Sequence, residues 1–101
     1  MQNLSMQEAK ANLDKDKDIV LLDIRTRMEY KEGHLPGAIN MPWQEIVHSI
    51  DEVAPDLEQT IYIYCHSGVR TLTAGTILDT LGYDNVYNLG GIIDWSYEIE
   101  K

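Results

Sequence analysis

An α/β domain with a mostly parallel sheet flanked by helices is what this sequence predicts. Three observations carry that reading. Short β-branched apolar runs recur along the chain, stretches of helical spacing separate them, and glycine or proline stands at most of the junctions. Strands that alternate with helices form parallel sheets, because each return of the chain must cross over one face.

The elements follow in chain order. Ser5-Met6-Gln7-Glu8 is a capping-box pattern, in which the serine hydroxyl and the glutamate three residues on satisfy free amides at a helix start. Met6, Ala9 and Leu13 then mark one helical face. Ile19-Val20-Leu21-Leu22-Asp23-Ile24 is a short continuous apolar run and reads as a strand buried on both faces. Glu29 to Glu32 fits one short helix stopped by Gly33, Pro36-Gly37 marks a turn, and Ala38 to Met41 a short strand. Pro42 suits the first turn of a helix whose inward face is Trp43, Ile46, Val47 and Ile50. Thr60 to Tyr64 is a second buried strand. From Arg70 to Leu81 the positions Ala74, Ile77, Leu78 and Leu81 repeat the helical spacing, with Gly82 as the cap. Val86 to Leu89 reads as a third strand, Gly90-Gly91 as a turn, and Ile92 to Ile99 as a final helix with Trp95 inward.

The chain has 101 residues, which makes one domain over residues 1–101. A domain of this size buries somewhat over ~60% of its unfolded surface, enough for a core without staples. Hydrophobic residues are 44% and charged residues 25%, a globular rather than a disordered balance. One cysteine cannot form an internal disulfide, which points to a reducing compartment, the cytoplasm. Met1-Gln2-Asn3-Leu4 lacks the basic segment and apolar run of a signal peptide, and no apolar stretch reaches the ~18 residues of a membrane span. The net charge of −9 disfavours nucleic acid and anionic membranes as partners. No histidine, cysteine or carboxylate cluster has metal-ligand spacing and no phosphate-loop glycine motif is present, so neither a metal nor a cofactor is expected.

The chemistry gathers at Cys65. In parallel sheets sites lie at the carboxyl ends of strands, where Asp23-Ile24-Arg25, Cys65 to Arg70 and Gly90-Gly91 come together. A cysteine at a strand end, ahead of a loop that opens a helix, faces backbone amides, the positive end of the helix dipole and the Arg70 charge. These favour the thiolate, which is the nucleophile. The same amides suit the oxygens of an anionic substrate, and Gly68 suits a position of positive φ or close backbone approach. A lone cysteine is more often a buried, inert residue. The spacing to Gly68 and Arg70 tips the balance towards a reactive one.

Cys65-His66-Ser67-Gly68-Val69-Arg70-Thr71 resembles the active loop of the rhodanese (sulfurtransferase) family. Leu22-Asp23-Ile24-Arg25, Glu29-Tyr30 and Gly33-His34-Leu35-Pro36-Gly37-Ala38-Ile39-Asn40-Met41-Pro42 resemble its first signature. Leu81-Gly82-Tyr83, Val86 and Leu89-Gly90-Gly91 with Trp95 resemble its C-terminal one. The resemblance implies a three-layer rhodanese-like domain whose five-stranded sheet gains a weak first strand near Gln2 to Leu4. It implies that Cys65 takes sulfane sulfur from a small anionic donor such as thiosulfate, carries it as a persulfide, and passes it to a thiol, a protein acceptor or cyanide. Four residues separate Cys65 from Arg70, whereas the related dual-specificity phosphatases and arsenate reductases have five. The short loop suits a single sulfur better than a tetrahedral oxyanion. A non-enzymatic module that binds a protein partner is the other alternative, and Cys65 counts against it.

Within this reading His66, Ser67, Gly68, Val69 and Arg70 form the substrate-binding loop around the catalytic Cys65. Arg70 has two open roles: binding the donor's oxygens, or holding the loop by pairing with a carboxylate. Asp23, Arg25 and Glu29 are expected to form an ion-pair scaffold behind the loop. His66 is expected to point to solvent, His34 to make hydrogen bonds in its turn, and His48 to lie on the surface.

Overall fold

Ser5 caps the first helix as its pattern requires: its hydroxyl accepts from the Glu8 amide at 3.1 Å, and the Glu8 carboxylate accepts from the Ser5 amide at 3.3 Å. Thr26 and Glu29 repeat the device at the second helix. The computed structural model describes residues 1–101 and gives four helices: α1 (Met6–Lys15), α2 (Arg27–Glu32), α3 (Ile46–Val53) and α4 (Arg70–Thr80). Five strands lie between them: β1 (Gln2–Asn3), β2 (Val20–Asp23), β3 (Ile39–Asn40), β4 (Ile61–Cys65) and β5 (Val86–Gly91). They form one sheet in the order β1-β5-β4-β2-β3, and every pairing is parallel. No helix is long and apolar enough to cross a membrane.

Both faces of the sheet are covered, which is why its strands read as continuous apolar runs. Successive side chains of a strand point to opposite faces. Ile61, Ile63 and Cys65 of β4 join Leu22, Ile46, Ile50 and Leu78 in the core under α3 and α4. Tyr62 and Tyr64 point the other way, into a core with Met6 and Ala9 of α1 and with Leu21, Leu35 and Leu89. Each fully buried leucine or isoleucine contributes ~1.5–3 kcal/mol. The alternation therefore decides that the thiol faces α4 while the Tyr64 ring faces α1.

Three expectations are corrected. Val47 is 54% exposed, although the spacing placed it inward. Residues Trp43–Glu45 form a 3₁₀ turn, and α3 begins only at Ile46. The tighter turn shifts the helical phase, so Ile46 and Ile50 face the core and Val47 turns away. Gly90 and Gly91 are not a turn after the strand but its last two residues, with Gly90 at φ +85° beside a register shift between β4 and β5. The expected helix from Ile92 to Ile99 is one 3₁₀ turn, Ile92–Asp94, after which Trp95 is extended. The chain then runs back across the sheet end, where the His34 and Glu100 amides donate to each other's carbonyls at 2.9 Å. Ile93 and Ile99 are 61% and 47% exposed, so the apolar spacing there marks no buried face. Trp95 is half-buried against the α1 core.

One buried polar network ties β2, β4 and the end of α2 together. Arg25 donates to Asp23 from Nε at 3.0 Å and Nη2 at 2.7 Å, and from Nη2 to the Gly33 carbonyl at 2.7 Å. The Tyr64 hydroxyl donates to Asp23 Oδ2 at 2.8 Å and accepts from the Leu35 amide at 3.1 Å. Burial and the Asp23 charge push the Tyr64 hydroxyl upward in pKa, so it stays a donor. Removing one member of such a pair leaves an uncompensated buried charge. Asp23→Ala is expected to destabilise the domain by ~3–5 kcal/mol, and Tyr64→Phe by ~1–3 kcal/mol because the Leu35 amide loses its acceptor. Urea unfolding reads both; wild-type midpoints would show that the network contributes nothing.

Candidate active site

Cys65 is the last residue of β4, buried to 1% exposure, and the chain turns at once into the loop His66–Val69 before α4. The Gly68 amide donates to the Cys65 sulfur at 3.0 Å. Gly68 lies at φ +95°, a conformation that favours glycine, and the Thr71 hydroxyl donates to its carbonyl at 2.7 Å. Among the loop amides only that of Gly68 donates within the chain; those of His66, Ser67, Val69 and Arg70 have no protein acceptor. They sit at the start of α4, where the helix dipole adds partial positive charge. A thiol under free amides is an arrangement that can hold an anionic sulfur species.

The loop rests directly on the end of β5. A Cβ on Gly91 would stand 2.5 Å from Ser67 Cα and closer still to the His66 carbonyl oxygen. The Ile93 amide donates to that carbonyl at 3.3 Å. Gly90 is different: a Cβ there would meet nothing, but its φ of +85° favours glycine. Gly91 is thus the seat of the loop, a role the sequence signals only as part of a doublet near a strand end.

Arg70 turns its fork to Glu29 of α2 while its charge also acts on the Cys65 sulfur. Its Nη1 and Nη2 donate to the two Glu29 oxygens at 2.7 and 2.8 Å, a bidentate pair with both side chains about one-third exposed. Hydrogen bonds from Arg70, then from the Thr26 amide and hydroxyl, hold the Glu29 carboxyl at about 2 against an ordinary 4.5, overcoming the opposing effect of burial. The expected scaffold of Asp23, Arg25 and Glu29 divides in two. Asp23 and Arg25 pair with each other beneath the sheet end, while Glu29 pairs with Arg70. His66 and Ser67 are exposed, and Val69 is 71% exposed, which leaves its backbone as the part available to a ligand. His34 is buried, stacked on Tyr30 at 3.7 Å between centroids, with Nδ1 2.8 Å from the Tyr30 carbonyl; His48 is on the surface. Beside the loop opens a cleft of about 490 Å³ lined by Arg25, Glu29, Glu32, Gly33, His66, Ile92 and Ile99. Nowhere do three histidine, cysteine or acidic side chains gather as metal ligands.

Residues 5–98 match the Rhodanese-like domain family. The thiosulfate sulfurtransferase PspE of Escherichia coli K12 is 37% identical over 73 residues, covering 72% of this chain and 70% of that protein. A putative sulfur carrier protein of Bacillus subtilis, YrkF, is 33% identical over 98 residues, covering 96% of this chain but 52% of that protein, so the chain spans about half its length. The crystal structure of a rhodanese-like domain protein from Staphylococcus aureus superposes with a TM-score of 0.85 at 29% identity, covering 99% of this chain and 97% of that one.

Two predictions follow from the loop's supports. Gly91→Ala forces the loop and β5 apart; it should cost ~1–3 kcal/mol, the usual range for overpacking, and change the rate at which iodoacetamide alkylates Cys65. An unchanged alkylation rate would mean that the loop does not depend on its seat. Glu29→Gln tests the ion pair. Its folded carboxyl titrates below its ordinary value, so the pair's contribution is complete above about 4.5 and is lost as pH falls through about 2. The variant should therefore be ~1 kcal/mol less stable at neutral pH, and the gap should close between those two values. A gap that stays constant down to the lower one would assign the loss to something other than the charge.

Proposed function

The chain belongs to the rhodanese-like domain family, and from that premise we propose that it is a sulfurtransferase working through a persulfide on Cys65. The observation that carries the reading is the single thiol held at the end of β4 beneath loop amides that have no other acceptor. In the first half-reaction the Cys65 thiolate attacks the sulfane sulfur of thiosulfate or of a persulfide donor. A bond forms between Sγ and that sulfur, the donor's S–S bond breaks, and its electron pair leaves with sulfite or with the donor thiolate. In the second, an acceptor thiolate or cyanide attacks the outer sulfur and releases the Cys65 thiolate.

Free amides aimed at developing negative charge are the usual means of stabilising such steps. His66, Ser67, Gly68 and Val69 serve through their backbone. Arg70 is a positioning residue: its fork grips Glu29 and so fixes the start of α4 against α2. Asp23 and Arg25 act as supporting residues that hold the sheet end through their buried pair. The four-residue gap between Cys65 and Arg70 supports sulfur transfer over hydrolysis of phosphate or arsenate chemistry. The lone cysteine and the absence of any partner thiol in the chain support a reducing compartment, and we place the protein in the cytoplasm.

Intact mass tests the proposal. Excess thiosulfate or glutathione persulfide should add one sulfur atom to the wild type, removable by cyanide, and none to Cys65→Ser. A wild-type mass unchanged by both donors would refute it. Aryl phosphate hydrolysis that disappears in Cys65→Ser would favour the phosphatase alternative instead.

A further inference from the structure

We propose that Ile99, together with Ile92, is a specificity-determining residue for the sulfur acceptor: the two side chains form an apolar lining that receives the carbon chain of a small alkyl thiol. The inference rests on the sulfurtransfer reading above. The cleft of about 490 Å³ is the cavity that borders the catalytic loop. It is lined by His66, the residue after Cys65, and by Glu29, which Arg70 grips while its charge acts on the Cys65 sulfur. None of the other cavities includes a residue of the loop. Ile92 and Ile99 are the two apolar side chains of this cleft.

Ile99 is held from both sides along the chain. The Trp95 indole donates to the Glu98 carbonyl at 2.9 Å. Glu100 exchanges backbone hydrogen bonds with His34 at 2.9 Å each way, and its carboxylate accepts from the Gly37 amide at 3.2 Å. Between these anchors Ile99 rests on Gly33: a Cβ at 33 would stand 2.8 Å from its Cδ1. The end of α2 thus leaves room for the isoleucine by having no side chain there. Even so seated, Ile99 stays 47% exposed, so its apolar surface is fixed in place and still open to a ligand. Arg25 and Glu29 beside it are engaged with Asp23 and Arg70. An alkyl chain that enters the cleft leaves water against Ile92 and Ile99, and that burial favours binding.

The step in which the lining acts is the second half-reaction. The acceptor thiolate R–S⁻ attacks the outer sulfur of the Cys65 persulfide. A bond forms between the two acceptor-side sulfurs, the bond from Sγ to the outer sulfur breaks, and its electron pair returns to Sγ as the thiolate. The acceptor leaves as R–S–SH after taking up one proton, and no oxidant is consumed. Cyanide attacks the same sulfur but has no carbon chain to lay against Ile92 and Ile99, so it reports the chemistry without the contact.

The test loads Cys65 from thiosulfate or glutathione persulfide and follows the loss of the added sulfur by intact mass. The acceptors are cyanide, ethanethiol, propanethiol and butanethiol at equal concentration. The thiols have nearly equal basicity, so chain length is what differs among them. With the wild type the rate should rise about twofold per added methylene, half the free energy that complete burial of the group would give. In Ile99→Ala the ratio of the butanethiol to the ethanethiol rate should fall towards one, and Ile99→Val should keep part of it. The cyanide rate of each variant is the reference against which the thiol rates are read. Wild-type rates independent of chain length, a ratio that Ile99→Ala leaves intact, or removal by cyanide but by none of the thiols would overturn this proposal and leave sulfurtransfer standing. Loading from neither donor would overturn sulfurtransfer itself, and this proposal with it.

Discussion

The chain after Cys65 has to cross directly over the backbone at the end of β5, and much of the site follows from that crossing. Only a glycine at 91 lets the His66–Ser67 segment lie so low. The low path brings the Gly68 amide to the sulfur, which in turn requires Gly68 to adopt a positive φ. It starts α4 at Arg70, where the guanidinium can reach across to Glu29. The register shift between β4 and β5 belongs to the same adjustment, since Cys65 pairs with Gly91 only because β5 bulges beside it. A side chain at 91 would therefore disturb the thiol's surroundings without touching the thiol.

Much of this was legible in the sequence because it rests on local rules. The Ser5 capping box, two runs of apolar residues and the spacing of Ala74 and Leu78 each report a physical requirement within a few residues. The misreadings share another cause. Val47 follows a 3₁₀ turn that alters the helical phase, and no pattern within the helix announces it. The segment after Ile92 carries apolar residues at helical spacing, yet the Ile93 amide finds its partner in the distant His66 carbonyl and the Glu100 amide in that of His34. The same holds at the site. Cys65, Gly68 and Arg70 stood out by spacing, but that Arg70 pairs with Glu29 and not with Asp23 depends on how α2 lies against α4. The glycine doublet was visible, and its purpose was not, because the atoms it makes room for belong to a distant loop.

Electrostatically the site draws on two kinds of positive potential. Backbone amides and a helix end supply one, which carries no net charge and cannot be neutralised by a neighbouring carboxylate. Arg70 supplies the other, its charge acting on the Cys65 sulfur while its fork holds shape against Glu29. A site organised this way can stabilise a monoanionic sulfur at close range while the surface around it remains acidic, and the net charge of −9 then sets no contradiction with an anionic intermediate.

The strand order β1-β5-β4-β2-β3 has a consequence for how the molecule is made. Synthesis runs from the amino end, so β2, β3 and β4 emerge with α1 to α3 well before β5. Until β5 inserts, β1 has no neighbour, β4 is an open edge, and the turn after Cys65 has nothing to lie on. The nucleophile at 65 thus leaves the ribosome before the glycines that shape its surroundings. Closing contacts between the two ends of a chain is the slow part of building a parallel sheet. Until β5 inserts, the thiol at 65 lacks its shaped surroundings, and it gains them in the same event that completes the sheet.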